Sequence, residues 1–180
     1  MVSRSALLII DVQTGLVAGD DPVHDLEPLL ANIGVLLSRA RARGVPVVYV
    51  QDDDVAEVGS PAWEVHPAIC PEPGDVRVRK PACDSFHETE LHDRLRERGV
   101  EHLVVAGCKT EFCIDTTCRR AVTLGYGVTL AGDAHSTSGN RELAAPAIID
   151  HHNRVLSGFG ALVAGRPCEI RVLAAVDIEL

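Results

Sequence analysis

Three side chains of the types that carry out nucleophilic catalysis lie at the ends of apolar, strand-like segments. These residues are Asp11, Lys80 and Cys113. A cysteine attacks a carbonyl carbon as the thiolate, which requires a base to remove its proton and is favoured by a nearby cation. We therefore interpret Cys113 as a nucleophile, Asp11 as its base and Lys80 as the cation.

Each of these residues also has an ordinary structural interpretation. The alternative for Asp11 is a turn-forming or helix-capping role, and for Lys80 it is a surface position. Cys113 has the alternative of a small buried apolar residue, as most free cysteines are. Because three different segments end in a carboxylate, an ammonium and a thiol, the catalytic interpretation is favoured for the set.

The segment around Cys113 has the pattern of a strand, a tight turn and a helix. Residues 103–106 are apolar, Gly107 permits a sharp turn, and apolar residues recur at helical spacing from Ile114 onwards. A thiol in the first helical turn lies near free N–H groups and the positive end of the helix dipole, so the pattern predicts a lowered pKa for Cys113. The N–H groups between Lys109 and Cys113 can also face an oxyanion.

The elements that must position these residues alternate between strands and helices. A helical pattern begins at Asp25, a capping box at 85–88 predicts another helix, and a helical face covers 145–156. Such alternation predicts a parallel sheet whose ligand crevice lies beyond the C-terminal ends of the strands. The predicted strands are residues 6–10, 45–50, 76–79, 102–106, 128–132 and part of 169–176.

Composition predicts a single domain, residues 1–180, with one sizeable core. The chain is 46% hydrophobic but only 3% aromatic, so the core is built from Val, Leu, Ile and Ala. This composition is typical of a parallel sheet covered by helices. The net charge is −9 and there is no basic stripe, so nucleic acid is not expected as a partner.

The six cysteines form no CxxC pair and no zinc-ligand spacing. The N-terminal stretch beginning Met-Val-Ser-Arg-Ser shows no signal-peptide pattern, and no segment has the ~18 apolar residues of a membrane span. We therefore expect free thiols, a cytoplasmic location and no membrane association.

Acidic residues 52–54 and the loop that follows them raise the question of a metal site. Three consecutive acids with a later His66 permit that interpretation, but they cannot all face one ion, so a solvated loop is favoured. We expect no metal and no cofactor. Trp63 lies in the long loop 55–74, where it either lines a pocket or anchors the loop. His152 is interpreted as a packed or interface residue.

Four sequence segments together resemble the isochorismatase-like cysteine hydrolases. They are Leu8-Ile9-Ile10-Asp11-Val12-Gln13, Arg79-Lys80, Gly107-Cys108-Lys109-Thr110-Glu111-Phe112-Cys113 and Asp133-Ala134-His135. The resemblance implies a three-layer α/β fold: a six-stranded parallel sheet of order 3-2-1-4-5-6, with helices on both faces. It implies a triad of Asp11, Lys80 and Cys113, and a cis peptide bond between Cys108 and Lys109, the oxyanion-hole residue. It also implies a homodimer or homotetramer.

The sequence departs from some members of this superfamily. Nicotinamidases carry a metal site that begins Asp-x-His, whereas this chain has Asp52-Asp53-Asp54, so a zinc-type site is not expected. True isochorismatases lack the cysteine and cleave a vinyl ether, and Cys113 argues against that reaction. Lys109 replaces a residue that is usually small or neutral. Residues 110–117 are similar to a subgroup that includes streptothricin hydrolase, which opens a cyclic amide.

The function that these patterns favour is hydrolysis of a small amide or lactam through an acyl-thioester on Cys113. The alternatives are a hydrolase of another carbonyl compound, such as an ester, and a non-catalytic binding or scaffold member of the fold. The expected partner is a small-molecule substrate. We expect the pocket wall to include Gln13, Trp63, Phe86 and Phe112.

Overall fold

A seven-stranded sheet forms the centre of the computed structural model, which describes residues 5–180. Six strands are parallel, in the predicted order, and β6 runs antiparallel to β7 at one edge. The strands are β1 (Ser5–Ile10), β2 (Val47–Asp52), β3 (Val76–Lys80), β4 (His102–Cys108), β5 (Gly127–Ser136), β6 (Gly160–Val163) and β7 (Arg166–Leu173), in the order β3-β2-β1-β4-β5-β7-β6. Residues 1–4, part of the stretch in which no signal peptide was expected, lie outside the described residues.

Helices cover both faces of the sheet, which confirms the three-layer α/β arrangement. In β1, Leu7 and Ile9 join a core cluster with residues of α2, whereas Leu8 and Ile10 join a second cluster with residues of α3 and α4. This alternation buries both faces of the strand, which explains its unbroken apolar sequence. The helices are α1 (Thr14–Val17), α2 (Leu26–Ala42), α3 (Leu91–Glu97), α4 (Asp115–Thr123) and α5 (Ala145–Leu156). None of these described helices is long and apolar enough to span a bilayer.

The prediction of six strands missed β6, which forms a hairpin with β7. The two-residue loop between them is Ala164-Gly165, and both residues have positive φ, 50° and 77°. Hairpin loops of this kind usually contain Asn-Gly or Asp-Gly. Because alanine occupies the first position, the sequence carries no recognisable hairpin signal there.

β4 extends two residues beyond its predicted end, so Gly107 lies within the strand. A Cβ atom on Gly107 would lie 2.0 Å from the carbonyl oxygen of Ile10 in β1. Glycine is therefore required for the close approach of the two backbones. The chain turns one residue later, and the peptide bond between Cys108 and Lys109 is cis.

The capping box predicted at residues 85–88 is wrong, since α3 begins only at Leu91. The hydroxyl of Ser85 lies 2.8 Å from that of Thr117 in α4, and the Ser85 N–H also donates to Thr117 at 3.1 Å. A buried tertiary partner has thus replaced the local cap. As a consequence, residues 81–90, which follow Lys80 in the chain, are held against α4 by this contact.

Candidate active site

Asp11, Asp52, Lys80 and Cys113 meet at the C-terminal edge of the sheet, and we call these four residues the Lys80 cluster. Asp11 follows β1, Asp52 and Lys80 are the last residues of β2 and β3, and Cys113 lies in the turn after β4. Asp52 and Lys80 are partners in the β2–β3 register. Parallel strands carry their C-terminal residues to one edge, which is where the fold class places its ligands.

The ammonium of Lys80 is the common partner in this cluster. Its Nζ lies 2.9 Å from Asp11 Oδ2 and 3.3 Å from Cys113 Sγ, and it also donates to the carboxylate of Asp52. Two of these contacts, those to Asp52 and Cys113, are hydrogen bonds, and the contact to Asp11 is an ion pair. Lys80 is 0% exposed, which shows that the surface interpretation of this lysine is wrong.

Asp52 is a member of the site that the sequence interpretation missed. The expectation of a solvated loop is wrong for this residue, because it ends β2 and its side chain is only 14% exposed. Asp53 instead pairs with Arg79 at 2.8 Å, and Asp54 is exposed. The three acids therefore have three different environments. The feature that identifies Asp52 as a member of the site is the strand register, since the pairing of β2 with β3 places it opposite Lys80.

Burial controls the ionisation of Asp11 and Cys113. Desolvation raises the pKa of Asp11 to about 6, although the nearby ammonium of Lys80 lowers it. Desolvation also raises the pKa of the Cys113 thiol well above its ordinary value, and the Asp11 charge raises it further, while Lys80 lowers it. The predicted lowering of the Cys113 pKa is therefore wrong, because the desolvation of the thiol outweighs the cation. At neutral pH the cluster contains a thiol beside a carboxylate.

Asp11 is placed to accept a proton. It is 1% exposed, and neither carboxylate oxygen has a hydrogen-bond partner among the described residues, although Oδ2 forms the ion pair with Lys80. The helix-capping alternative is therefore wrong, because it requires an N–H that donates to this carboxylate. The turn-forming alternative agrees with the positive φ of Asp11, 53°. The Cys113 sulfur and a carboxylate oxygen of Asp11 lie within 4.8 Å of each other. The Asp11 carboxylate is thus the proton acceptor that lies beside the Cys113 thiol.

A π-helical turn, Thr110–Ile114, carries Cys113 and continues into α4. The N–H groups of Phe112 and Ile114 both donate to the Lys109 carbonyl at 3.2 Å, which leaves the intervening Cys113 N–H out of these bonds. The Lys109 side chain turns away and pairs with Asp21 at 3.0 Å. Its charge is therefore matched outside the cluster. The oxyanion-hole role of the Lys109 and Cys113 N–H groups stays a prediction.

His135 connects this turn to β5 and α5, a role that the sequence interpretation did not assign. Its Nδ1 lies 2.9 Å from the Thr110 hydroxyl and its Nε2 lies 2.8 Å from Asn153 Oδ1. Asn153 Nδ2 in turn donates to the Gly132 carbonyl at 2.9 Å. The amide orientation implies that Nε2 carries the proton and that Nδ1 accepts from Thr110. Burial lowers the pKa of His135, which keeps the ring neutral.

The structure does not bring together the four side chains expected in the pocket wall. Gln13 is buried, and its amide exchanges hydrogen bonds of 3.0 and 2.8 Å with the backbone of Asp52. Phe86 stacks on Tyr126 in the core, with ring centroids 5.9 Å apart. Trp63 is only 6% exposed, whereas Phe112 is 53% exposed. Their roles in substrate binding stay predictions.

A cavity of about 290 Å³ opens beside the Lys80 cluster. None of the four predicted pocket residues lines it. It is lined by Asp11, Gly15, Leu16, Asp52, Asp54 and Val55. A second cavity, of about 280 Å³, lies between α2 and α5 and contains no residue of the cluster. The first cavity is therefore the one of these two that members of the cluster line, namely Asp11 and Asp52.

Asp11, Asp52 and Cys113 also form a set of three possible metal ligands. One donor atom from each lies within 4.8 Å of the others. The Lys80 ammonium contacts all three residues, so it occupies the position from which a cation would bind them. A metal ion would have to displace it. The expectation that residues 52–54 bind no metal stays a prediction.

Comparison with known proteins relates this geometry to a family. The isochorismatase domain model matches residues 5–154. A streptothricin hydrolase of Streptomyces noursei is 41% identical over 149 residues, which cover 81% of this chain and 58% of that protein. A second one is 40% identical over 73% of this chain and 49% of its own length. The chain thus spans about half the length of these two relatives.

Other similar proteins cover more of their own length. The ureidoacrylate amidohydrolase RutB of Enterobacter sp. (strain 638) is 29% identical over 174 residues, which cover 73% of this chain and 75% of that protein. The crystal structure of an isochorismatase family protein superimposes with a TM-score of 0.87 at 30% identity, covering 97% of this chain and 100% of that one. The domain match, the shared fold and the cluster at the sheet edge agree, and the chain belongs to the isochorismatase family.

Proposed function

We propose that this protein is a cysteine-dependent hydrolase of a small amide or lactam. The observation that supports the proposal most directly is the position of Lys80 Nζ, 2.9 Å from Asp11 and 3.3 Å from Cys113, at the edge of a cavity. Because Asp11 and Cys113 both face this ammonium, it can hold the base and the nucleophile next to each other. The names of two relatives, streptothricin hydrolase and ureidoacrylate amidohydrolase, agree with hydrolysis.

The first half of the proposed reaction forms a thioester. Cys113 Sγ attacks the carbonyl carbon as Asp11 removes the thiol proton, because the thiol is not ionised beforehand. The negative charge that develops on the carbonyl oxygen faces the N–H groups of Lys109 and Cys113. Asp11 then gives the proton to the amide nitrogen, the C–N bond breaks, and the amine leaves. In a lactam, the amine stays attached to the acyl group.

The second half of the reaction releases the acid. Asp11, again a carboxylate, removes a proton from water as the water oxygen attacks the thioester carbon. The C–S bond breaks and the proton returns to Cys113. Lys80 keeps its proton throughout, because attraction to Asp11 and Cys113 and its bond to Asp52 raise its pKa overall, against the effect of burial. It therefore acts as a fixed positive charge.

The two alternatives predict different substrate behaviour. An esterase would use the same thioester step, but would turn over esters and leave the matching amides intact. A binding or scaffold protein would turn over neither. The scaffold alternative must explain why a carboxylate and an ammonium, Asp11 and Lys80, are buried together beside the partly buried Asp52, since buried charges are costly when they have no compensating role.

The test is release of ammonia or amine from a panel of small amides and lactams, with the matching esters measured in parallel. Cys113→Ala should abolish turnover, whereas Cys118→Ala should retain it, because Cys118 is buried on the apolar side of α4. Intact-mass measurement of acid-quenched enzyme should show an acyl adduct that maps to Cys113. Wild-type turnover in Cys113→Ala would overturn the proposal, and turnover of esters alone would favour the esterase.

A further inference from the structure

The cavity beside the Lys80 cluster contains more negative than positive charge. Three carboxylates line it, those of Asp11, Asp52 and Asp54. Within residues 5–180, the only ammonium in contact with these residues is that of Lys80, which is buried and shared between Asp11 and Asp52. Asp11 and Asp52 thus share one positive charge, and Asp54 adds a third negative charge. A ligand that enters this space meets a net negative wall.

Asp54 is the carboxylate of this wall that no cation in the described part of the chain neutralises. Its neighbour Asp53 pairs with Arg79 outside the cavity, at 2.8 Å. Within residues 5–180, no Lys, Arg or His side chain forms an ion pair with Asp54, whose backbone N–H donates to Asp52 Oδ1 at 2.9 Å. That bond fixes the backbone of Asp54 next to the cluster and leaves its side chain free. Its charge is therefore available to a ligand.

A second observation also indicates that a ligand completes this cavity. Asp11 is 1% exposed, and its Oδ1 has no hydrogen-bond partner in the described part of the chain. A buried carboxylate oxygen without a partner is costly, and the cost is relieved when a donor binds. Asp11 lines the same cavity as Asp54. The Cys113 thiol can fill only one of the acceptor positions on this carboxylate. The floor of the cavity can therefore accept a further donor, and its wall holds a carboxylate that no cation of residues 5–180 neutralises.

We infer that the substrate carries an ammonium or guanidinium group that pairs with Asp54 while its amide reaches Cys113. Leu16 and Val55 supply the apolar part of the lining, which suits a short hydrocarbon link between the two groups. The inference rests on the proposed hydrolase function for the identity of the reacting group. The preference for a cation is a property of the cavity, and it can be measured without turnover.

The direct test uses three methanethiosulfonate reagents that differ in charge: aminoethyl, methyl and sulfonatoethyl. In each case Cys113 sulfur attacks the sulfenyl sulfur, its proton is lost to Asp11 or solvent, a mixed disulfide forms, and methanesulfinate leaves. Peptide mapping by mass spectrometry reads Cys113 separately from the exposed Cys70 and Cys83. Rates are divided by those with a free thiol. In wild type the order should be cationic, then neutral, then anionic.

Asp54→Asn should reduce the ratio of the cationic rate to the anionic rate about tenfold. The two reagents differ by two units of charge, and a nearby carboxylate changes the rate about threefold for each unit. Glu57→Gln is the matched control, because it removes the same charge from an exposed position in the same loop. Its ratio should stay at the wild-type value. Equal effects of the two substitutions, or an anionic reagent that reacts as fast as the cationic one in wild type, would overturn the inference.

A second experiment applies the inference to turnover. The amides 3-aminopropanamide, 3-hydroxypropanamide and succinamate share one scaffold and carry a cationic, a neutral and an anionic end. Their kcat/KM values should fall in that order, and Asp54→Asn should reduce the differences among the three values. If neither these three nor any amide or lactam of the panel described above is hydrolysed while the reagent ratios depend on Asp54, the proposed hydrolase function fails and the cation site stands. If succinamate is the best substrate, the cation site fails.

Discussion

Asp52 and Lys80 lie opposite each other at the ends of β2 and β3, and their contact holds the ammonium where it also meets Asp11 and Cys113. The base and the nucleophile are thus positioned by a cation that a third carboxylate positions in turn. Asp52 competes with Asp11 for this cation, and its charge also raises the pKa of Asp11. Both effects favour the protonated form of Asp11.

Asp52→Asn should therefore lower the pKa of Asp11. The substitution removes a negative charge near Asp11 and gives Asp11 a larger share of the Lys80 ammonium, so both changes act in the same direction. The acidic limb of the kcat/KM profile should move to lower pH. Asp53→Asn is the control, since Asp53 pairs with Arg79 and should leave the limb in place. A shift to higher pH in Asp52→Asn would contradict the assignment.

Wild-type activity should rise with pH through the pKa of Asp11, which burial raises to about 6. The reason is that the thiol proton can be transferred only to the ionised carboxylate. Asp11→Asn should lose ~10²–10⁴ in rate and should also lose this limb. The measurement is kcat/KM from pH 4.5 to 8 in constant ionic strength. An unchanged limb in Asp11→Asn would assign the titration to another group.

The contribution of Asp11 to the free energy of unfolding should fall as pH rises, whereas the activity should increase. Its pKa is raised in the folded state from 3.8 to about 6, so the folded chain binds more protons than the unfolded chain in that interval. The contribution is fully present below about 4 and is lost as pH rises through about 6. Urea unfolding of wild type and Asp11→Asn across this range should show that wild-type stability falls more, or rises less, with pH than that of the variant. Equal slopes would contradict the buried, raised-pKa state.

Lys80→Met should slow alkylation of Cys113 at every pH below the thiol pKa. Lys80 is the contact that lowers this pKa, and burial and Asp11 raise it, so removal of the ammonium leaves only the opposing effects. The measurement is the rate of iodoacetamide modification at Cys113 against pH, read by peptide mapping. Lys109→Met serves as the control, because that ammonium pairs with Asp21. A faster reaction in Lys80→Met would remove Lys80 from the proposed mechanism.

Thr110→Val should lower kcat more than it raises KM. The substitution preserves shape but removes the hydroxyl that His135 Nδ1 accepts from, so a buried nitrogen loses its partner at a cost of about 1–3 kcal/mol. Thr110→Ser keeps the hydroxyl and should restore most of the rate. Steady-state kinetics and urea unfolding of both variants check this. If valine and serine have the same effect, the hydroxyl contact does not position the turn.

The positions of Asp11, Lys80 and Cys113 were predictable from the sequence because each follows a recognisable apolar segment. Parallel topology then brings the ends of such segments to one edge. Asp52 was not predictable, since three consecutive acids have the composition of a solvated loop and only strand register separates them. The ionisation of Cys113 was predicted with the wrong sign. Its pKa depends on how much solvent the folded chain removes, and no local pattern contains that quantity.

The misassigned elements have similarly physical causes. Ser85 has the sequence context of a helix cap, yet its hydroxyl bonds to Thr117, 32 residues away. Phe86 is next to this contact and packs into the core against Tyr126, although its sequence position suggested a pocket wall. The capping-box error arises because a local signal was outweighed by a tertiary partner that only the folded chain supplies. The pocket role of Phe86 stays a prediction.

The amide of Gln13 acts as an additional rung between the ends of β1 and β2, because it both donates to and accepts from the backbone of Asp52. The main-chain positions of Asp11 and Asp52 are thus tied together independently of Lys80. Loss of the ammonium would not let the two strand ends separate to relieve the repulsion between their carboxylates. The repulsion can then be relieved by protonation of one of the two carboxylates. When Lys80 is absent, Asp11 and Asp52 should therefore share one proton in the folded chain.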